Sequence, residues 1–231
     1  MTIAAPEVMR SWSCVLFDLD GTLVDSAPGI TRSLARTFEE MGLGTHSPDD
    51  LMKYVGPPLY DTLRVHGGLD DATAERALEI YREISVESDV VDNAVFPGIV
   101  GLLADLNAIG VPLALATSKP LSRAARVLEH FDLAKYFTFV GAASEDETRS
   151  LKADVVAYTL EQLAANGVDV SGPIMVGDRS YDVRGALENE VPTIMVEWGY
   201  GSPAEAVGAM AVVHSTDQLR GLLLGQSVWA A

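Results

Sequence analysis

The sequence predicts an α/β fold in which helices cover both faces of a parallel sheet, with a separate helical segment inserted near the start of the chain. Two observations support this fold class. Short apolar runs alternate along the chain with segments of helical periodicity, and turn residues follow each run. The alternation is broken once, between residues 26 and 96, where helical patterns occur without a convincing strand.

Five short runs consist of apolar or β-branched residues. Such runs are typical of interior strands of a parallel sheet, because both faces of each strand are buried. The runs are residues 14–17, 113–116, 137–140, 174–176 and 193–196, and a sixth run at 211–214 is a candidate edge strand. The helices expected after them are residues 98–109, 120–130, 152–166 and 181–189. Parallel strands joined through helices imply right-handed crossover connections.

The inserted segment is predicted to span residues 26–95, which leaves residues 1–25 and 96–231 as the core. Glycine-containing turns, among them Gly56-Pro57-Pro58, separate its helical patterns. These patterns are residues 29–41, 50–55, 59–66 and 72–87. The tripeptide Phe96-Pro97-Gly98 marks the return of the chain to the core.

Composition restricts the classes of function. The 231 residues include 33 acidic and 16 basic side chains, so the formal net charge is −17. A surface this acidic repels phosphates, and we expect no nucleic-acid partner and no membrane-surface partner. No apolar stretch reaches the roughly 20 residues that a membrane span needs. The single cysteine, Cys14, and the lack of a signal-peptide pattern predict a cytoplasmic location.

Carboxylates follow two of the predicted strands at the edge where open α/β sheets bind ligands. Asp18 and Asp20 follow the first run, and Asp178 follows the run at 174–176. Each pair of carboxylates about 4 Å apart would repel by about 4 kcal/mol at an effective dielectric constant near 20. We therefore expect a cation between them. Oxygen ligands favour a hard cation such as Mg²⁺, and the four scattered histidines argue against zinc.

Because the overall charge repels an anionic substrate, such a substrate must be bound by a local positive group. Ser118 is predicted to cap the helix that begins near Pro120, and free N–H groups at a helix N-terminus bind phosphate. Thr117 adds a hydroxyl group, and Lys152, at the start of a later helix, adds a positive charge. Lys119 is the alternative source of that charge.

These motifs resemble those of the haloacid dehalogenase superfamily of phosphatases. The first motif is residues 18–26, the second is Thr117-Ser118, the third is Lys152 and the fourth is residues 177–182, all in the order of the family. The resemblance covers nearly the whole chain. It implies a Rossmann-like core with a mobile four-helix cap formed by the inserted segment. In one departure, Lys152 is followed by Ala153-Asp154, whereas many members have proline soon after this lysine.

The resemblance also implies a role for each motif residue. Asp18 is expected to be the nucleophile that forms an aspartyl-phosphate, and Asp20 the acid and then the base. Thr117, Ser118 and Lys152 are expected to hold the phosphoryl group. The expected Mg²⁺ ligands are Asp18, the main-chain carbonyl of Asp20, and Asp178. Asp182 is expected either to ligate the metal through a water molecule or to orient one of the ligands without contacting the metal.

The expected substrate is a small phosphorylated metabolite, and the expected assembly is a monomer or a homodimer. The turn at residues 56–59 is similar to a cap segment of the phosphoglycolate phosphatase branch, which favours phosphoglycolate as substrate. A 5′-nucleotidase and a sugar-phosphate phosphatase or mutase remain open. A dehalogenase would not need Asp20, and a phosphonate hydrolase would need a Schiff-base lysine, for which Lys53 is the only lysine of the insert. A non-enzymatic phospho-accepting receiver module lacks such an insert.

Overall fold

The computed structural model describes residues 12–146 and 148–225, apart from the side chains of residues 87–89. Its strands are β1 Cys14–Phe17, β2 Val24–Asp25, β3 Ala94–Val95, β4 Leu113–Pro120, β5 Phe139–Ala143, β6 Pro173–Gly177, β7 Thr193–Val196 and β8 Ala211–Val213. Six of them form a sheet in the order β5-β4-β1-β6-β7-β8, and every neighbouring pair is parallel. The predicted α/β class is confirmed.

The helices of the described residues fall into two groups. The inserted segment contains α1 Ala27–Glu40, α2 Pro48–Leu51, α3 Leu59–Val65 and α4 Asp71–Val91. The remaining helices follow the core strands: α5 Ile99–Ala108, α6 Leu121–His130, α7 Lys152–Ala165, α8 Ser180–Leu187 and α9 Thr216–Leu223. Among the residues that the structure describes, no helix combines the length and the apolar character needed to cross a membrane.

The central strand explains why the strand runs are apolar throughout. Val15 and Phe17 of β1 belong to a hydrophobic cluster on one face of the sheet, which α5, α6 and α9 complete. Cys14 and Leu16 belong to a second cluster on the opposite face, together with residues of α7 and α8. All four side chains are fully buried. Alternate residues therefore pack against different helices, and none faces water.

The inserted segment has a hydrophobic cluster of its own, formed by residues of α1, α3 and α4 with Leu51, Tyr54 and Val55. The strands β2 and β3, at the two ends of this segment, pair in antiparallel fashion, so the chain enters and leaves the segment at adjacent positions. We propose that the cap is residues 26–95, from the end of β2 to the end of β3. The complementary core ranges 1–25 and 96–231 extend at both termini beyond the described residues.

One predicted strand has other bounds in the structure, and two elements of the structure were not predicted. The strand expected at residues 137–140 is β5, at Phe139–Ala143, because small residues such as Gly141 and Ala142 carry little strand signal. The β2–β3 ribbon was not predicted, since two residues are too few to form a recognisable pattern. Helix α9 was not predicted either, although Ser215 caps it by accepting a hydrogen bond from Gln218 N.

Candidate active site

Three buried carboxylates converge at the carboxyl edge of the sheet. Asp18 follows β1, Asp178 follows β6, and Asp182 lies in the first turn of α8. One oxygen atom from each lies within 4.8 Å of the others. Strand β1 lies between β4 and β6, so the chain passes to one side of β1 and then to the other. Ligands bind at such a switch point in open α/β sheets.

Lys152 is the positive group of this cluster. As the first residue of α7 it is buried, and its Nζ lies 2.9 Å from Asp18 Oδ1 and 2.8 Å from Asp182 Oδ1. The same Nζ donates a hydrogen bond to the Ala116 carbonyl at 2.9 Å. The lysine stem packs against α8 at Gly185, where a Cβ atom would lie only 2.7 Å from Lys152 Cβ. Glycine at this position therefore lets the lysine reach both carboxylates.

Negative charge exceeds positive charge in the cluster, and the pKa values reflect this imbalance. Burial raises the pKa of Asp18 to about 6, although the nearby Lys152 opposes the shift. Burial also raises the pKa of Asp178 well above its ordinary value, and the charges of Asp182 and Asp18 add to the shift. Burial by itself would lower the pKa of Lys152, but its carboxylate partners raise it, so the lysine stays protonated.

These residues fit a hard divalent cation. Asp18 Oδ1 is buried and accepts no well-directed hydrogen bond from the described residues. Asp178 is held in place by Tyr200 N at 2.7 Å and by the Thr22 hydroxyl at 3.2 Å. Carboxylate oxygens are the ligands that Mg²⁺ prefers, and an added cation would offset the excess negative charge. The cluster can therefore hold a metal ion.

Asp182 uses both of its oxygens to organise the cluster. Oδ2 accepts hydrogen bonds from Asp178 N at 3.1 Å and from Arg179 N at 3.0 Å, whereas Oδ1 faces Lys152. These contacts fix the loop that carries Asp178 to the start of α8. The side chain of Asp182 thus orients its neighbours, and one of its oxygens lies within 4.8 Å of the other two carboxylates. Its predicted role toward a metal, through water or through another ligand, stays a prediction.

The side chain of Asp20 lies apart from this cluster and pairs with Lys119. Lys119 Nζ donates to both carboxylate oxygens, at 3.1 and 3.2 Å. The lysine side chain is only 4% exposed and that of Asp20 is 14% exposed. Lys119 is the residue predicted as an alternative for phosphate binding, and its pairing with Asp20 was not predicted, because the two residues are 99 positions apart. The metal contact through the Asp20 main-chain carbonyl stays a prediction.

Thr117 and Ser118 lie at the end of β4, next to Lys119. Thr117 is buried, and its Oγ1 accepts a hydrogen bond from Lys119 N at 3.2 Å, which leaves the hydroxyl proton for another acceptor. The prediction that Ser118 caps a helix is wrong. Strand β4 continues to Pro120, and α6 begins at Leu121 with no side-chain cap. Proline, with no N–H and a fixed φ, suits the position just before the helix.

A small cavity of about 70 Å³ lies between the cap and the core. The core contributes polar and charged residues to its wall, and the cap contributes mainly apolar and aromatic ones. The wall includes Asp20, Ser118, Lys119, Arg123, Tyr54, Leu59 and Tyr81, and the turn at residues 56–58. Arg64, a basic residue of α3 in the cap, pairs with Asp71 and is not part of this wall.

Arg179 connects the loop that carries Asp178 to this cap turn. Its Nη1 donates to the Val55 carbonyl, and its Nε lies 2.9 Å from Glu205 Oε2. Gly56 has a φ of +111°, and a Cβ atom there would lie 3.0 Å from Arg179 Nη1. The turn therefore needs glycine for its backbone conformation, and the guanidinium group passes close to it.

Tyr200 forms a second connection between core and cap. Its Oη accepts hydrogen bonds from Ser26 N at 2.6 Å and Ala27 N at 2.9 Å, and donates to Asp25 Oδ1 at 3.0 Å. Ser26, the N-cap residue of α1, makes no side-chain cap of its own. The tyrosine hydroxyl takes its place, and burial raises the pKa of Tyr200 above its usual range. No local sequence signal indicates a contact across 174 residues.

Comparison with known proteins decides the family. The sequence profile described as haloacid dehalogenase-like hydrolase matches residues 15–196. The chain belongs to the haloacid dehalogenase-like hydrolase family. The match begins in β1 and ends at the last residue of β7, and so includes all three carboxylates, Lys152 and the cap.

Relatives within this family carry different names. The chain is 40% identical to the tyrosine-protein kinase PtkA of Mycobacterium tuberculosis over 210 residues, which are 89% of this chain and 70% of PtkA. It is 36% identical to a 5′-nucleotidase of Pseudomonas aeruginosa, over 83% of this chain and 85% of the relative. Identity to a phosphoglycolate phosphatase of Aquifex aeolicus is 31%, over 80% and 85% of the two chains.

A solved structure has the same fold over almost the whole length of this chain. The crystal structure of a predicted phosphatase from Clostridium acetobutylicum superposes with a TM-score of 0.86 at 39% identity. The alignment covers 93% of this chain and 99% of the other. This coverage extends the likeness to the cap as well as to the parallel sheet.

Proposed function

We propose that this hydrolase is a Mg²⁺-dependent phosphatase that cleaves small phosphate monoesters through an aspartyl-phosphate, with phosphoglycolate as the favoured substrate. The observation that carries the proposal is the meeting of Asp18, Asp178 and Asp182 with Lys152 at the switch point of the sheet. A cytoplasmic location and a monomeric or homodimeric assembly are part of the same proposal.

Asp18 is the proposed nucleophile. Its carboxylate attacks the phosphorus atom while the bond to the leaving oxygen breaks, and the phosphoryl group is transferred to Asp18. Lys152 keeps this carboxylate in place, and its charge favours the ionised form that attack requires. Thr117, Ser118 and Lys152 are the proposed ligands of the transferring phosphoryl group. When bound by Asp18, the Asp20 carbonyl and Asp178, Mg²⁺ supplies positive charge that offsets the phosphate oxygens.

Asp20 is the proposed acid and base. It gives a proton to the departing alkoxide and then takes one from the water molecule that hydrolyses the aspartyl-phosphate. Its carboxylate belongs to the wall of the cavity and is held by Lys119, which supports a role at the leaving-group side of the site. Asp182 is a positioning residue that orients Lys152 and the loop of Asp178.

The turn at residues 56–59, which is similar to a cap segment of the phosphoglycolate phosphatase branch, belongs to the cavity wall and would contact a leaving group there. This position and the 31% identity to a phosphoglycolate phosphatase favour phosphoglycolate. The 36% identity to a 5′-nucleotidase keeps a nucleoside monophosphate as the second candidate substrate. The 40% identity to PtkA favours one other candidate function, in which the phosphoryl group passes from Asp18 to a tyrosine hydroxyl and not to water.

The test is a phosphate-release screen over 2-phosphoglycolate, sugar phosphates and nucleoside monophosphates, with Mg²⁺ and with EDTA. We expect Mg²⁺-dependent release, greatest for 2-phosphoglycolate. Asp18→Asn should abolish turnover, and near-full activity of that variant would refute the nucleophile assignment. Asp61→Asn, at an exposed position of α3, is the matched control and should retain full activity.

Two outcomes would select the alternatives. If a nucleoside monophosphate is hydrolysed far better than phosphoglycolate, the protein is a nucleotidase and the proposed chemistry stands. If the protein transfers label from γ-³²P-ATP to a tyrosine-containing polypeptide while releasing no phosphate from any small ester, the proposed hydrolase function is wrong.

A further inference from the structure

Arg179, in the core, contacts the cap at the turn that precedes α3. Its Nη1 donates a hydrogen bond to the carbonyl of Val55, a fully buried residue of the hydrophobic cluster of the cap. Gly56 follows, and a Cβ atom there would lie 3.0 Å from Arg179 Nη1 and 3.3 Å from Arg179 Cγ. The arginine side chain therefore packs along the turn and also bonds to its backbone.

The core holds another part of the same guanidinium group. Arg179 Nε lies 2.9 Å from Glu205 Oε2, and the glutamate carboxylate also accepts hydrogen bonds from Ser180 N and Ser202 N, each at 3.1 Å. Only 15% of the arginine side chain and 22% of the glutamate side chain are exposed. Because a guanidinium group is planar and rigid, fixing Nε also fixes the direction of Nη1. The bond to Val55 thus gives the cap turn a defined position relative to the core.

The turn that Arg179 holds forms part of the wall of the active-site cavity. The cap contributes residues 56–59 to this wall, and the core contributes Asp20 and Ser118. Asp20 is the proposed acid, so the leaving group that it protonates lies in this cavity, within reach of the turn. Arg179 itself is not among the residues of the wall. Any effect of Arg179 on the leaving group must therefore pass through the turn.

We infer that Arg179 is a positioning residue for recognition of the leaving group, because it holds the cap turn of residues 56–59 at the active-site cavity. The inference rests on the proposed phosphatase function and deepens it, since it names the contact through which the cap recognises the substrate. The proposed ligands of the phosphoryl group, Thr117, Ser118 and Lys152, all belong to the core. Loss of Arg179 should therefore weaken recognition of the leaving group and spare recognition of the phosphoryl group.

The test compares a substrate that has a leaving group with a ligand that has none. The substrate is 2-phosphoglycolate, and the ligand is inorganic phosphate, measured as a competitive inhibitor. Arg179→Met should lower kcat/KM for phosphoglycolate by about 10-fold, the effect of losing one hydrogen bond from a charged donor. The inhibition constant of phosphate should change by less than about twofold, because phosphate contacts the core alone.

Hydrogen exchange reports the position of the turn in the absence of any substrate. The amides of residues 53–60 should exchange faster in Arg179→Met than in the wild type, because the turn loses its bond to the core. The exchange of α7 and of β1, which do not contact this turn, should be unchanged. This readout does not depend on enzymatic activity.

Arg126 supplies a matched control. It belongs to α6, in the core, and it also donates to a backbone carbonyl of the cap, that of Val86, at 2.8 Å. It is not among the residues of the cavity wall and does not contact the turn of residues 56–59. Arg126→Met should therefore leave kcat/KM, the inhibition constant of phosphate and the exchange of the turn unchanged.

Glu205→Gln gives a second, independent measurement. It weakens the contact that fixes Arg179 Nε and leaves the arginine in place. It should lower kcat/KM for phosphoglycolate by a smaller factor than Arg179→Met does. The double variant should be no slower than Arg179→Met, because the glutamate acts through the arginine and the two effects are not additive.

The outcomes separate the inference from the proposed function. If Arg179→Met leaves kcat/KM for phosphoglycolate unchanged, or weakens phosphate inhibition by the same factor, Arg179 does not act through the leaving group and the phosphatase function stands. If the wild type hydrolyses no small phosphate ester, the proposed function fails and the inference fails with it. Thermal melting shows whether each variant is folded, and Glu205→Gln decides the question should Arg179→Met not fold.

Discussion

The three buried carboxylates predict that one substitution will remove metal binding and stabilise the metal-free protein. Asp178 is fully buried and lies within 4.8 Å of the other two carboxylates. At this separation two unit charges repel by about 3 kcal/mol at an effective dielectric constant of 20. Asp178→Asn removes the charge, and its amide oxygen can still accept a bond from Tyr200 N. We expect the free energy of unfolding in EDTA to rise by about 1 to 3 kcal/mol.

The assay is thermal unfolding in EDTA and in 10 mM MgCl₂. In EDTA the melting temperature of Asp178→Asn should exceed that of the wild type by on the order of 5 °C, given the size of the protein. Mg²⁺ should raise the melting temperature of the wild type, by an amount equivalent to about 2.7 kcal/mol when its concentration is 100 times the dissociation constant. The variant should show no such increase, and the exposed control Asp61→Asn should behave as the wild type.

Two results would refute this reasoning. The first is a melting temperature in EDTA that is lower for Asp178→Asn than for the wild type, since repulsion would then not be the dominant effect of the third carboxylate. The second is an equal response of variant and wild type to Mg²⁺, because the cation would then bind elsewhere.

Three further predictions concern other parts of the structure. Asp20→Asn should lower the turnover of phosphoglycolate by about 100-fold or more. It should spare the release of p-nitrophenol from p-nitrophenyl phosphate in the first turnover, because this leaving group needs no proton. Equal losses for the two esters in stopped-flow assays would contradict the role of Asp20 as acid. Tyr200→Phe should destabilise the start of α1 by about 1 to 2 kcal/mol, because two backbone amides lose their acceptor; unchanged hydrogen exchange at residues 27–31 would contradict this. Burial raises the pKa of Asp18 to about 6, so the folded state binds this proton more tightly than the unfolded state does, and the unfolding free energy of the wild type relative to that of Asp18→Asn should fall in EDTA as the pH rises from about 4 to 6; a rise of this difference in urea titrations would contradict it.

The parts of the fold that sequence alone predicted are those with strong local signals. The strand at residues 193–196 is found at the predicted positions, because all four residues are buried and three of them, Ile194, Met195 and Val196, are apolar. Lys152 begins its helix as predicted. Asp18 and Asp178 lie together because the carboxyl ends of parallel strands meet at one edge of the sheet, which is a general property of the fold.

The parts that sequence did not predict depend on contacts between distant residues. Nothing near Lys119 indicates that it pairs with Asp20, and nothing near Tyr200 indicates that it caps α1. The cap assigned to Ser118 failed because a serine shortly before a proline is compatible both with a helix start and with a strand end. Local sequence patterns thus predicted the catalytic residues at the sheet edge, whereas the contacts between core and cap could be identified only from the folded structure.

The most direct measurement of the central claim is a crystal structure of the protein with Mg²⁺ and beryllium trifluoride, which imitates a phosphoryl group on a carboxylate. The account predicts beryllium bonded to an oxygen of Asp18, a fluorine within hydrogen-bond distance of Lys152, and Mg²⁺ held by Asp18 and Asp178. Beryllium on any other side chain, or a metal ion away from these two aspartates, would contradict it.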